Sequence, residues 1–160
     1  MISNAIIPVQ IKRVKDPFSN ETIKATVPMN VVFEKDFDAK WLSNELKKIE
    51  DDYFNLVKYI RGTVLLLNSA ESDKSSALLY WKIGDAIIRF NESYRSNPLV
   101  LCGYTKSLSR DAGVSEKTIT RCKRFRLLYP DIANINTNKT FHGYVALFER
   151  SYKKVKGNVK

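Results

Sequence analysis

The residues whose types and spacing indicate chemistry in this chain are cations clustered within twenty-one positions, in and around the segment SRDAGVSEKTITRCKRF (109–125). The cluster comprises Lys106, Arg110, Lys117, Arg121, Lys123, Arg124 and Arg126. Lysine and arginine bind phosphate oxygens through charge-assisted hydrogen bonds, and arginine also binds the O6 and N7 atoms of guanine in a bidentate manner. The chemistry that these side chains predict is therefore recognition of a polyanion such as DNA.

The charge along the chain supports this interpretation. The formal net charge is +10 over 160 residues. Residues 101–160 contain 13 Lys and Arg against 4 Asp and Glu, whereas residues 1–100 contain 14 against 13. A basic protein can bind nucleic acid or an anionic membrane surface, or the charge can serve solubility alone. The concentration of charge around the cation cluster favours nucleic acid.

A tight turn between two helices would position these cations. Gly113 interrupts a helical pattern, and glycine adopts the positive φ of such a turn without a steric penalty. Ser115 follows it as a good N-cap, and Ser109 is a small residue where the helices would cross. The inner positions are apolar and are predicted to be buried: Leu108, Ala112, Val114, Ile119, Cys122 and Phe125. This pattern predicts a helix-turn-helix over about residues 105–126.

The remaining side chains of the second helix define its outward face, which enters the major groove in helix-turn-helix proteins. That face comprises Ser115, Glu116, Lys117, Thr120, Arg121 and Arg124. Arg121 is predicted to bind guanine, and Thr120 a thymine methyl group or another base edge. Glu116 either accepts from cytosine N4 or complements the helix N-terminus. The predicted phosphate contacts are Lys106, Arg110, Lys123, Arg124 and Arg126.

The rest of the chain predicts a mainly α fold. Residues 36–160 form a multi-helix domain, whose long first helix carries apolar residues at spacings of three and four from Leu42 to Leu67. A second helix is predicted in SALLYWKIGDAIIRF and a last one in FHGYVALFERSYKKVK. Residues 1–35 are rich in β-branched residues and are predicted to form a β-hairpin or an extended arm. The long helix or the N-terminal strands could support a homodimer.

Catalysis is not predicted. The triplets DAK (38–40) and ELK (45–47) match the short metal-binding pattern of nucleases, but they fall on a predicted helix rather than a strand. His142 is the only histidine, and Cys102 and Cys122 are too few for a structural zinc site. No cofactor is expected. The chain shows no secretory signal and no apolar run that could span a bilayer, so a cytoplasmic, nucleoid-associated protein is expected.

The segment ALLYWKIGDAII, followed after a spacer by GYTKSLSRDAGVSEKTITRCKRFRLLYPDI, resembles the N-terminal domain of YhcG-type proteins. These bacterial and archaeal proteins carry a C-terminal PD-(D/E)XK nuclease domain. The likeness covers about residues 50–132 and rests on Tyr80, Trp81, Ile83, Gly84, Gly103, Tyr104 (these two in reversed order), Leu108, Ser109, Phe125, Tyr129 and Pro130. The first 45 residues and the nuclease domain have no counterpart, so the resemblance implies a stand-alone DNA-binding module linked to mobile elements or defence systems, with a possible nuclease or defence-system partner.

The predicted function is therefore sequence-specific or structure-specific binding of double-stranded DNA, as a regulator or as a targeting module. The alternative is a protein-interaction adaptor whose basic face binds an acidic partner without reading DNA. A plain helical hairpin with a solvated basic face is the third interpretation.

Overall fold

The computed structural model of the chain describes the backbone of residues 3–15, 22–33, 39–69, 76–94, 99–101 and 104–157. It describes side chains over residues 40–41, 43–69, 76–94 and 104–151. The described part is mainly helical, which confirms the mainly α character of the predicted fold. Its helices are α1 (Ala39–Ser69), α2 (Ser76–Ser93), α3 (Tyr104–Ala112), α4 (Glu116–Leu128) and α5 (Phe141–Gly157), with a 3-10 turn at Ile132–Asn134.

Three strands accompany the helices: β1 (Ser3–Lys15), β2 (Thr22–Phe33) and β3 (Leu99–Leu101). They form an antiparallel sheet in the order β1-β2-β3. The short strand β3 pairs with residues 29–31 of β2 and directly precedes α3 in the chain. Side chains of this sheet lie outside the described residues. The division at residue 35 into an N-terminal unit and a helical domain stays a prediction.

The first helix buries the apolar stripe that its sequence predicts. Ile49, Tyr53, Leu56 and Ile60 are buried, and Leu46, Val64 and Leu67 pack partly exposed against the same core. Their spacing of three and four residues places them on one side of the helix, and burial of that side drives its packing. The side chain of Leu42 lies outside the described residues.

The second helix occupies the centre of the bundle and packs against α1, α4 and α5. Its predicted inward residues Ile83, Ile87 and Phe90 are buried, whereas Leu79 is only half-buried. Burial also extends to Trp81 and to Gly84, residues that a single stripe did not include. A helix that contacts neighbours on more than one side must bury more than one row of side chains.

Aromatic rings fill the space between the helices. Phe125 of α4 contacts Phe141 and Tyr144 of α5, with ring centroids 5.6 and 4.8 Å apart. A second group surrounds Phe90, which meets Tyr104 of α3 edge to face at 5.6 Å. Such pairs add to the free energy gained from area burial. Among the described helices, none combines the length and apolar character that crossing a bilayer demands.

Candidate functional site

The connection between α3 and α4 is a turn at residues 113–115. Gly113 has a φ of +68°, which confirms the predicted positive φ at this glycine. The amide of Val114 donates to the carbonyl oxygen of Ser109 at 3.1 Å, so the chain folds back onto the last turn of α3. Val114 is buried directly after the turn, as its position predicts.

Ser115 caps α4, which confirms the predicted N-cap. Its hydroxyl oxygen accepts a hydrogen bond from the amide of Thr118 at 3.1 Å, and its backbone is extended. The cap satisfies one of the amides that the first turn of a helix leaves without an intrahelical partner. Glu116 follows in the first turn, where its negative charge complements the helix dipole.

The inner side of the two helices matches the predicted pattern. Every residue expected there is buried: Leu108, Ala112, Val114, Ile119, Cys122 and Phe125. Ser109, expected at the crossing, is half-buried. Burial of Cys122 raises the pKa of its thiol to about 12, because the anion would lose its hydration. The apolar side of α4 is therefore committed to the protein core.

The position of α3 is fixed by a buried carboxylate. Asp111 is buried, and its carboxylate accepts from the Tyr53 hydroxyl at 2.7 Å and from Arg110 Nε at 2.9 Å. Arg61 of α1 donates to the backbone oxygen of Asp111 at 3.1 Å. Burial and the bond to Asp111 together raise the pKa of Tyr53. The last turn of α3 is thereby joined to α1 by polar contacts that the spacing of the sequence did not reveal.

The position of α4 is fixed by α2. Trp81 Nε1 donates to the carbonyl oxygen of Tyr129 at the end of α4, at 2.7 Å. Arg126 Nε donates to Asp85 Oδ1 at 2.7 Å, and its guanidinium lies 5.0 Å from the centroid of the Trp81 ring. Trp81 of the resemblance motif therefore lies at the contact between α2 and α4, whereas Tyr80 of the same motif stacks on Phe141 of α5 with ring centroids 4.0 Å apart.

This contact changes the role of one predicted phosphate ligand. The Arg126 side chain is only 22% exposed, between Asp85 and Trp81. The position of Arg126 in the sequence grouped it with the predicted phosphate-binding cations of α4, but α2 packs against the side of α4 that carries Arg126. The structure thus assigns Arg126 to the interface between α2 and α4, which differs from the phosphate contact that was predicted.

The other predicted residues remain at the surface of α3 and α4. Ser115, Glu116, Lys117 and Thr120 are exposed, and Arg121, Lys123 and Arg124 are half-buried. Lys106 is exposed on α3, and the Arg110 side chain is 61% exposed even though it pairs with Asp111. Thr120 donates its hydroxyl to the carbonyl oxygen of Glu116 at 2.9 Å. A cationic surface therefore begins at the first turn of α4.

Two residues of α5, which the sequence interpretation missed, border this surface. Glu149 accepts from Arg121 Nε at 3.0 Å and also from Arg121 Nη2. The ring of Phe148 lies 5.1 Å from the Arg124 guanidinium. The result is an open groove lined by Glu116, Lys117, Thr120, Arg121, Arg124, Phe148 and Glu149. No local signal in the sequence relates α5 to α4, because the contact joins residues more than twenty positions apart.

Among the described residues, His142 does not line this groove. His142 is exposed near the start of α5, and Cys102 lies outside the described residues. Within the described residues, no three His, Cys, Asp or Glu side chains are grouped so that they could hold a metal ion. Comparisons of the chain with protein-family models, with curated proteins and with solved structures found no match.

Proposed function

We propose that this protein binds double-stranded DNA, with α3 and α4 acting as a helix-turn-helix and α4 lying in the major groove. One observation carries the proposal: α4 buries Ile119, Cys122 and Phe125 in the core and leaves a capped, cationic face at its N-terminal half. A helix of this kind presents the side chains of its first turns to base edges. The positive φ of Gly113 sets the turn that directs this face outward.

The roles follow from exposure and chemistry. Lys117 and Thr120 lie at the exposed start of α4 and are proposed to approach base edges, together with Arg121 as the ligand of guanine. The proposed phosphate contacts are Lys106, Arg110, Lys123 and Arg124, which would orient the domain without reading sequence. Ser115 and Glu116 at the N-terminus of α4 are proposed to approach the base edges as well, and Ser115 also caps the helix. The proposed role is binding rather than catalysis.

A dimer would extend this mode of binding. Tyr59, Leu65 and Leu66 are large, exposed side chains on α1 and support self-association through the long helix. A two-fold pair of domains would place two copies of α4 about 34 Å apart and would favour palindromic sites. Sedimentation velocity measured with and without duplex DNA tests this point, and a monomer in both samples would exclude the dimer.

The resemblance of residues 50–132 to the YhcG-type N-terminal domain stays a prediction, as does a nuclease or defence-system partner. Trp81 and Gly84, two of the residues on which the resemblance rests, lie where α2 meets α4. Both regulation and targeting are compatible with a reading helix held by such contacts.

The experiment begins with selection of bound duplexes from a random DNA pool. Fluorescence anisotropy then measures affinity for a selected duplex between about 50 and 200 mM salt, a range over which phosphate contacts weaken binding strongly. Replacing Lys123 by alanine should weaken all duplexes alike and reduce the salt slope by about 1. Replacing Lys82, an exposed cation on α2 beside Tyr59 and Arg89, is the matched control.

Two results would refute the proposal. One is affinity for duplex DNA that does not depend on salt or is absent, which would favour the adaptor with an acidic protein partner. The other is an equal effect of Lys82→Ala and Lys123→Ala, which would show that net charge alone governs binding.

A further inference from the structure

We infer that Glu149 of α5 is a positioning residue, which holds the Arg121 guanidinium for guanine and so sets base specificity. The inference rests on the proposed function, because it concerns how the same surface reads DNA. It adds a helix outside the helix-turn-helix to the reading surface. The sequence of residues 105–126 alone does not predict that α5 contributes to this surface.

The geometry of the ion pair is the first observation. Arg121 donates from both Nε and Nη2 to Glu149 Oε1, with the Nε distance at 3.0 Å. These two atoms form one edge of the planar guanidinium. The pair engages Nε and one N–H of Nη2, and leaves the second N–H of Nη2 and the N–H groups of Nη1, which form the other edge, outside it. Guanine O6 and N7 are spaced to accept two hydrogen bonds from such an edge.

The exposure of the pair indicates what it contributes. The Arg121 side chain is 28% exposed and the Glu149 side chain 47% exposed. An ion pair this accessible to water contributes little to folding, because solvent screens it. A long arginine that is already held in place, however, loses less conformational entropy when it binds. The pair is therefore expected to matter more for recognition than for stability.

The neighbouring residue in α5 acts on the next arginine of α4. Phe148 lies 5.1 Å from the Arg124 guanidinium, in the geometry of a cation–π contact. Two consecutive residues of α5 thus contact the two arginines that face the groove. The wall that α5 forms along the groove is built from side chains that orient cations.

Because Glu149 is negatively charged, the inference predicts opposite effects of its removal on DNA affinity and on base specificity. A carboxylate beside the proposed reading face repels DNA phosphates and lowers affinity for every duplex. A carboxylate that orients Arg121 raises the preference for guanine at one position. Removal of Glu149 should therefore strengthen general binding and weaken discrimination, a combination that loss of structure would not produce.

The test compares Glu149→Ala, Glu149→Gln, Arg121→Ala and the double variant E149A/R121A. Arg121→Ala first identifies the base-pair position at which the variant no longer prefers guanine. Each variant is then titrated against a selected duplex, against the same duplex with a different base pair at that position, and against a random duplex. A further duplex carries 7-deazaguanine, which lacks the N7 acceptor. Far-UV circular dichroism checks the fold of each variant.

We expect Glu149→Ala to reduce the preference for guanine about 3- to 10-fold, a coupling typical of residues in contact. The same variant should bind the random duplex more tightly at low salt. Glu149→Gln keeps an oxygen acceptor and should retain part of the preference, although it has lost the same charge. In the Arg121→Ala background, loss of Glu149 should leave base preference unchanged.

Two results overturn the inference while leaving the proposed function intact. In one, Glu149→Ala tightens binding to guanine-containing and random duplexes by the same factor, so that its charge alone acts. In the other, the loss of preference is the same with and without Arg121. If the unaltered protein shows no salt-dependent binding to any duplex, the proposed function itself fails, and the role of Glu149 fails with it.

Discussion

Gly84 of α2 lies directly against the backbone of Cys122 in α4. A Cβ atom built on Gly84 would lie 2.1 Å from the carbonyl oxygen of Cys122 and 2.7 Å from its carbonyl carbon. The two helices therefore approach backbone to backbone, which only glycine permits at this position. This contact sets how closely α4 packs against α2.

Replacing Gly84 by alanine should lower the free energy of unfolding by about 2 kcal/mol or more. Overpacking costs this much when the obstacle is backbone, which cannot rotate away as a side chain can. Urea unfolding followed by circular dichroism measures the change. Gly143→Ala is the matched control, because the atoms nearest its Cβ would all be side-chain atoms, the closest being Lys139 Cγ at 3.1 Å, with no backbone atom of another helix among them. Equal stability of the two variants would contradict the close approach.

Gly113 should respond to substitution for a different reason. Nothing lies within 4 Å of a Cβ built there, but its φ of +68° is unfavourable for other residues. Gly113→Ala should cost about 1–2 kcal/mol, and Gly113→Asn less, since asparagine tolerates this region. Thermal unfolding compares the two variants. The asparagine variant should recover stability at residue 113, whereas Gly84→Asn should recover none at residue 84.

Replacing Tyr53 by phenylalanine should destabilise the protein by about 1–3 kcal/mol, because it removes one donor from a buried carboxylate. The lost bond is the one from the Tyr53 hydroxyl to Asp111. Tyr59, on the same helix, is 46% exposed, and Tyr59→Phe should change stability by less than about 0.5 kcal/mol. Urea unfolding of both variants measures the difference. Similar values would show that the bond to Asp111 contributes nothing.

Stability should decline in alkaline solution, starting with Cys122. The pKa of its thiol is raised from 9.0 to about 12 in the folded protein, so the folded state retains a proton that the unfolded state releases. The free energy of unfolding should therefore fall by up to about 1.4 kcal/mol per pH unit for this group, above about pH 9. Tyr104, whose pKa burial raises to about 12, adds to the decline above pH 10.

The variant Cys122→Ala isolates the contribution of the thiol. It should start from lower stability, because it leaves a cavity, but should show a smaller slope between about pH 9 and pH 10. Urea titrations at several pH values give this slope. If the slope matches that of the unaltered protein, the thiol does not stay protonated in the fold.

Arg126 and Lys123 should separate stability from binding. Arg126→Ala removes a 2.7 Å bond to Asp85, a residue that is itself only 14% exposed, and should cost about 1–2 kcal/mol of unfolding free energy. Lys123→Ala should change stability little but should weaken duplex binding more than Arg126→Ala does. Chemical unfolding and anisotropy on the same samples make the comparison. If Arg126→Ala weakens duplex binding more than Lys123→Ala does and leaves stability unchanged, Arg126 contacts phosphate as the sequence predicted.

Much of the local structure could be predicted from short-range pattern. The bounds of α3 follow from residues next to one another, and so do the cap at Ser115 and the positive φ at Gly113. The buried positions of α4 follow from helical periodicity, because a helix with one apolar side has one way to bury it. Leu79 and Arg126 show the limit of this reasoning. Periodicity predicted Leu79 to be buried and Arg126 to be a surface cation, but it does not indicate which neighbouring helix packs against either side chain.

The sequence by itself determined the helices, the cap at Ser115 and the charge on the outward side of α4, all of which depend on residues a few positions apart. Only the tertiary structure decided that Arg126 pairs with Asp85, that Arg121 pairs with Glu149 and that Gly84 meets Cys122. These contacts join residues separated by about thirty to forty positions, and helical periodicity gives no information about contacts between residues so far apart in the sequence. Their geometry depends on how three helices pack at once, which no single segment encodes.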